Sequence, residues 1–476
     1  MGLLLSVQSF VQVGQDVEGE AANDGSGLSV SLSADGTRLA IGAPNNSGSG
    51  IASGQVRVFN EVGGAWVQMG PDLDGEAQGD AFGQVVVLSA DGTRLAVGAP
   101  RNNGGGTDAG HVRVYEEIGG VWTQLGADID GDAASDWFGE SLGLSADGTR
   151  LVVGAQLNDG GASNGGLLRV FDEAGGTWIQ LGTDVDGTVP SGTLGKKVAI
   201  SPDGQSVAAS VEDHVRVFTL SSGAWMQLGA DLTGVDPLDG FGHTLAFSSN
   251  GTRLAIGAPF NDDNGSDAGQ VRVFDESVGN WSQVGAPING GATNDWAGFG
   301  LSLSPDGTLL AVGAPYLPGS STQTGQVRLF TEAAGSWNAF GPPIIGEAPA
   351  DYCGLGTAFS DPATRIAIGA HWNDGGGSNA GQVRVFAIDP TTGTAPHFGS
   401  MTMQLTPNPT TGLVAVNASG MTEGHIQLTD LQGRILLNTT YRISMTLDLG
   451  ALPAGCYVVR LRSGERLEQQ PLLIQR

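Results

Sequence analysis

The stretch FGQVVVLSADGTRLAVGAPRNNGGGTDAGHVRVYEEIGGVW, Phe82 to Trp122, decides the fold. It holds three short apolar runs, Val85 to Leu88, Arg94 to Val97 and Val112 to Tyr115, and ends on a Trp that opens a fourth, Trp122 to Leu125. Ser-Ala-Asp-Gly-Thr between the first two is a tight hairpin, because Asp can bond its own backbone and Gly supplies positive φ. The stretch reads as a four-stranded antiparallel meander.

The meander recurs. Trp66, Trp122 and Trp178 stand 56 residues apart, as do Trp225, Trp281 and Trp337, and the step from Trp178 to Trp225 is 47. The hairpin returns at Asp35-Gly36, Asp91-Gly92, Asp147-Gly148, Asp203-Gly204, Asn250-Gly251 and Asp306-Gly307, with Asp361-Pro362 in a degenerate seventh copy. A fixed period of four-stranded units predicts an all-β propeller of seven blades over residues 10–390. Phe10 to Val13 matches a Trp-initiated fourth strand with Phe10 in the Trp position, and the last unit lacks its own fourth strand. The offset predicts a ring closed by the N-terminal strand, which also removes a free sheet edge. In the fourth unit nine residues are missing, all from the loop between the second and third strands, so that blade should be normal except for a bare patch on one rim.

The chain resembles bacterial FG-GAP-type repeat proteins, distant relatives of the integrin α-subunit propeller. The likeness rests on Phe82-Gly83, Phe138-Gly139 and Phe241-Gly242, and on Gly42-Ala43-Pro44, Gly98-Ala99-Pro100, Gly257-Ala258-Pro259 and Gly313-Ala314-Pro315. The resemblance implies the fold and leaves activity open. Ser201-Pro202-Asp203-Gly204 and Ser304-Pro305-Asp306-Gly307 suggest WD-repeat or Tol-like propellers instead, but the recurring signature of Gly-His with Trp-Asp is absent.

A formal net charge of −28 opposes nucleic acid and anionic lipid by Coulomb repulsion. Two cysteines cannot build a disulfide framework, and Cys353 and Cys456 read as small buried apolar residues. No apolar run is long enough for a transmembrane helix. Met1 to Ser9 is too short and lacks the basic flank of a secretory signal, so 1–9 reads as a leader remnant or disordered start.

Thr391 to Thr402 is a Thr/Gly/Pro-rich linker, and from 403 to 476 the repeat signals vanish while about seven short alternating strands predict a small Ig-like β-sandwich. This tail resembles the type A C-terminal sorting domain of the type IX secretion system, through Pro407-Asn408-Pro409 with Thr411-Gly412, Asp430-Leu431 with Gly433-Arg434, Leu447-Asp448-Leu449, Leu452-Pro453-Ala454-Gly455 with Tyr457-Val458-Val459, and Leu472-Leu473-Ile474. The resemblance implies export across both membranes of a Bacteroidota-type bacterium, the secretion machinery as partner, and a secreted or outer-membrane-surface protein.

In a propeller the connection between blades opens on the same face as the loop between second and third strands, and both are rich in Asp, Asn and Gly here. Asp128, Asp130, Asp132 and Asp136 suggest a calcium loop, since hard cations take several carboxylates from alternate positions. Against it, the integrin-type calcium loop lies between the first two strands, and Asp130-Gly131 recurs as Asp74-Gly75 and Asp186-Gly187, as turn chemistry does. Trp137, Trp296 and Trp372 lie off the repeat, beside Asp136, Asp295 and Asp374, and suit stacking on a sugar ring; packing within loops is the plainer reading. The third-strand arginines, Arg57, Arg113, Arg169, Arg216, Arg272, Arg328 and Arg384, read as structural by their symmetry. No zinc spacing or nucleophile elbow is present. The sequence points to a non-enzymatic recognition or adhesion protein binding glycan or protein through its acidic loop face. The alternative is an extracellular lyase or glycosidase with its site in the funnel, which an asymmetric cluster of buried polar groups there would favour.

Overall fold

The computed structural model describes residues 10–316 and 323–388 and, between 402 and 475, chiefly the strands. The expected leader remnant at 1–9 and all but the last residue of the linker, Thr402, lie outside the described residues. The chain divides into two compact units, 1–390 and 391–476, and no described residue is helical.

The first blade shows why each repeat folds as it does. Ser29–Leu32 and Arg38–Ala43 form the predicted hairpin, in which Asp35 accepts from the Ser33 hydroxyl at 2.6 Å and the Thr37 amide at 2.9 Å, while Gly36 takes φ +69°. Gln55–Val62 follows, then Ala65–Gln68. The fourth strand is interrupted: Gly70 and Pro71 lead the chain away and Leu73–Asp74 returns to pair with Val56 and Gln55. Seven sheets repeat this order. The second strand is buried on both faces because a neighbouring blade covers each, and Leu39, Ala40 and Ile41 are almost fully enclosed.

The two motif glycines meet between blades. A Cβ on Gly42 would lie 2.0 Å from the carbonyl oxygen of Gly83 in the next blade, and one on Gly313 would lie 1.9 Å from that of Gly354. The Gly-Ala-Pro glycine and the Phe-Gly glycine are thus one requirement, close backbone approach at the wedge, stated twice in the sequence. In the fourth blade Ser210 takes the first of these places, and the close approach is relaxed: a Cβ on Gly242 would lie 3.0 Å from the Ser210 Cβ.

The first strands touch in cyclic order, the seventh, Thr357–Phe359, returning to Ser29–Leu32. Val11 and Gln12 pair with Ala387 and Phe386, and Val17 and Glu18 with Val383 and Gln382, so the N-terminal strand completes the last blade. Phe10 takes the Trp position, packing on Phe340 with ring centroids 6.4 Å apart. At the hairpin end a belt of backbone bonds crosses the blades: the amides of Asp361, Ala34, Ala90 and Ala146 donate to the carbonyls of Ala34, Ala90, Ala146 and Pro202, and that of Ser249 to Pro305. It breaks at Pro202 and Pro305, which have no N–H. The fourth blade turns directly from Ser206–Val211 into His214–Ser221, leaving the bare rim.

In the second unit Thr402–Thr406, Leu413–Ser419 and Ser444–Asp448 form one sheet, and Glu423–Thr429, Ile435–Arg442, Gly455–Ser463 and Arg466–Ile474 another. Val414, Val416 and Leu447 of the first pack with Ile426, Leu428, Val459 and Leu472 of the second, as in a sandwich. Cys353 is buried beside Arg384, its thiol pushed up to about 11 by burial; the side chain of Cys456 lies outside the described residues.

Candidate functional site at the channel mouth

Each first strand begins just after the Phe-Gly pair or the X-Gly pair that replaces it, at the loop-bearing end of the central channel. The seven equivalent residues are Leu28, Gln84, Glu140, Lys196, His243, Phe299 and Leu355. All but Lys196 line a cavity of about 460 Å³, which Lys197 enters from the fourth blade. The opposite end is uniform: Leu32, Leu88, Leu144, Phe247, Leu303 and Phe359 ring a cavity of about 510 Å³. A repeat that keeps one end alike and varies the other has lost its symmetry where a ligand could use the difference.

The polar half of the mouth is electrically tense. Burial pushes the Glu140 carboxyl up, although Lys197 and a hydrogen bond from Gln156 oppose it. Burial also pushes the Lys197 ammonium down. Lys197 retains some channel-facing surface, but protein surrounds it, and that enclosure governs its charge. His243 is driven to about 3 by burial and by the two lysines, so its ring is neutral. Its Nδ1 has no hydrogen-bond partner among the described residues.

The other half is aromatic. His243 lies 4.2 Å from Phe299, Phe299 5.8 Å from Trp296 in a stacked pair, Trp296 4.1 Å from Tyr316, Tyr316 4.8 Å from Tyr352, and Tyr352 4.5 Å from Trp372, all between ring centroids. The arc spans three blades and ends on Trp372, 43% exposed. His371 stands beside it at 5.2 Å, held to about 4 by burial. Three ring nitrogens along the arc, His243 Nδ1, Trp296 Nε1 and His371 Nδ1, are buried without a hydrogen-bond partner among the described residues. Leaving such groups unmade is costly in a folded protein.

Of the residues singled out in the sequence, Trp296 and Trp372 come together on this arc. Trp137 stands on the polar side, 5.7 Å under the Arg101 guanidinium, in a recess of about 180 Å³ that Gln84 and Glu140 join to the channel. Asp136 and Asp295 are buried: Asp136 accepts from Asn158 at 2.8 Å and Asp295 from the amides of Gly291 and Ala292. Asp24, Asp80 and Asp239 bond Asn46, Asn102 and Asn261 in the same way, which makes this pairing a feature of the repeat. Asp374 is exposed and accepts from the Asn379 amide at 2.8 Å.

The four aspartates weighed for calcium are not gathered. Asp128 takes both Arg113 nitrogens at 2.9 Å, Asp132 is bonded by Arg169, Asp136 faces Asn158, and Asp130 lies 4.0 Å from His111. Glu76, His111 and Asp128 do converge, but Arg113 bonds both carboxylates and supplies the positive charge there. Such a donor set does not fit a hard-cation cage. The third-strand arginines act structurally: Arg57, Arg328 and Arg384 each lie 5.4 Å over a Phe ring, while Arg169 and Arg216 pair with Asp184 and Asp231.

Sequence reasoning did not single out Glu140, Lys197 or His243. Two signals were available: Lys196 and Lys197 are the only lysines in the chain, and the residue after Phe-Gly differs among blades while its neighbours repeat.

No curated protein matches the chain. Among solved structures it is similar to a putative 6-phosphogluconolactonase from Bacteroides uniformis, at 13% identity and a TM-score of 0.49 over 68% of this chain and 86% of that one. It is likewise similar to a functionally unknown protein from Desulfotomaculum acetoxidans, at 14% identity and a TM-score of 0.46 over 70% of this chain and 89% of that one. Residues 404–475 match the family described as the secretion system C-terminal sorting domain. The tail is therefore a sorting domain of the type IX kind, and it addresses a seven-bladed propeller to the exterior or surface of a Bacteroidota-type cell.

Proposed function

We propose that the exported propeller is a recognition protein that holds a glycan at the mouth of its channel, across the arc from Trp296 to Trp372. The observation that carries this reading is the run of neighbouring aromatic rings ending in an exposed Trp. Sugar rings offer apolar faces to aromatics. The Phe-Gly and Gly-Ala contacts between blades support kinship with FG-GAP-type, integrin α-like propellers, whose work is also recognition. Binding to a glycan array, lost in Trp372→Ala and Trp296→Ala with folding retained, is the expected result. Unchanged binding in both variants would exclude the arc.

A second reading, a lyase or glycosidase acting in the funnel, is favoured by Glu140, whose carboxyl is raised by burial as a general acid requires. Turnover of a bound oligosaccharide by the wild type, abolished in Glu140→Gln, would select it.

A further inference from the structure

We infer that Lys197, with Lys196 at the rim, holds the anionic group of a single acidic sugar residue inserted into the channel. This rests on the glycan reading above and names the class of glycan.

The lysines are the first ground. They are adjacent, they are the only two in the chain, and every other fixed cation is an arginine. The propeller arginines have protein partners, as Arg150 with Asp172 at 2.6 Å and Arg253 with Asp275 at 2.6 Å. Neither lysine ammonium has a hydrogen bond or ion pair among the described residues, and Lys197 faces the 460 Å³ cavity. An enclosed ammonium without a counter-charge in contact is destabilising, and it persists where a ligand supplies the missing anion. Lysine suits this task as a compact, mobile point charge, where arginine's fork is used here for fixed structural pairs.

The surroundings narrow the ligand. Opposite Lys197 the wall is apolar, with Leu28, Phe299 and Leu355. On either side of it stand Glu140, an acceptor for hydroxyls, and the neutral ring of His243. One polar edge carrying a charge and one apolar face describe a sugar acid or sugar sulfate, and the cavity lies within the roughly 300–1,000 Å³ of small-ligand sites. The blade that carries the lysines is also the one whose second and third strands are joined by a bare turn, so that blade places no long loop of this kind beside them. The net charge of −28 repels long polyanions, and that repulsion is screened over about 8 Å at physiological salt, so the charge accepted is a local one.

The test uses the full chain and calorimetry with three probes: a neutral galactose trisaccharide, the same trisaccharide ending in galacturonate, and the same ending in a galactose sulfate ester. At least one acidic probe should bind about tenfold or more tightly than the neutral one, with a preference that shrinks as salt rises; the two acidic probes distinguish carboxylate from sulfate. Lys197→Gln should bring acidic and neutral affinities to within about twofold, and Lys197→Arg should restore part of the gap. Should Lys197→Gln not fold, the wild-type preference and its salt dependence decide alone. Trp372-dependent binding of the neutral probe with no acidic preference would overturn this inference and leave glycan recognition standing. A preference that survives in Lys197→Gln would also overturn it. Binding of no probe here and of nothing on the array would remove both.

Discussion

The indole N–H of Trp66 donates to the carbonyl of Val13 at 2.9 Å, fastening the outer strand of the first blade to the N-terminal strand that completes the last. Trp178, Trp225 and Trp281 bond the preceding blade in the same way, through Leu125, Leu181 and Leu228. Trp122 and Trp337 make no such bond; instead Arg38 and Arg253 lie 5.8 and 5.9 Å over their rings. Trp66→Phe should therefore cost about 1 kcal/mol more than Trp337→Phe, because it leaves a carbonyl unmade at the closure, whereas the second removes an N–H that already lacks a partner. Denaturant unfolding of both variants checks this. Equal losses would show that the bond adds nothing to closure.

The hairpin aspartates make the fold acid-sensitive in a defined direction. Burial opposes ionisation of Asp35, Asp91, Asp147 and Asp306, but bonds from the neighbouring Ser and Thr outweigh it and hold each carboxyl below its ordinary value. A depressed carboxyl contributes stability above its unfolded pKa and loses it as pH falls through the folded one. Asn250 makes the same bonds without titrating, from the Ser248 hydroxyl at 2.8 Å and the Thr252 amide at 3.1 Å. Replacing all four aspartates by Asn should thus flatten the decline in melting temperature below about pH 4. An unaltered profile would place acid sensitivity elsewhere.

The broken backbone belt allows magnitudes to be weighed against each other. Ala90→Pro would delete its bond to Ala146, about 0.5–1.5 kcal/mol, while stiffening the unfolded chain by about 0.4–1 kcal/mol. Pro202 and Pro305 show that the position accepts proline's φ. The two terms nearly cancel, so the variant should differ from wild type by less than about 1 kcal/mol in denaturant unfolding. A large loss would mean that the belt acts cooperatively.

What the sequence revealed and what it hid have one cause. Trp66 and its equivalents, and the Gly42 and Gly83 pair, do a like packing task in most blades, so they recur with the period and declare the ring. Glu140, Lys197 and His243 differ from their equivalents, and a reading built on recurrence passes over what does not recur. Trp296 and Trp372 stand out as tryptophans apart from the recurring fourth-strand Trp, whereas Tyr352 and Tyr316, which occupy the same two places 56 residues away, escape a reading that follows tryptophan alone. Asp136 and Asp295 misled in the opposite sense: Asp136 is taken up by Asn158, 22 residues onward, and Asp295 by the backbone amides of Gly291 and Ala292, contacts visible only once the fold is known. The interruption of the fourth strand at Gly70 and Pro71 was hidden because Leu73 and Asp74 are too few to show an alternation.

The channel charges carry the last prediction. Glu140 has a folded pKa raised by burial, so its contribution to stability is fully present below its unfolded pKa and is lost as pH rises through the folded value. Lys197 has a folded pKa lowered by burial, so protonation opposes folding on the acid side of its unfolded value. Removing either charge should then raise the melting temperature at pH 7: Glu140→Gln keeps an amide that can still meet Gln156, and Lys197→Met keeps the stem. The double variant should gain more than the sum, because each single change also forfeits the attraction between the two charges, which the double variant forfeits only once. Both variants should lose ligand affinity as they gain stability, the trade expected where a binding site is maintained against the fold. Melting curves at pH 7 with parallel calorimetry read both quantities. A loss of stability in Glu140→Gln would instead make the Glu140 and Lys197 pair a structural element of the ring.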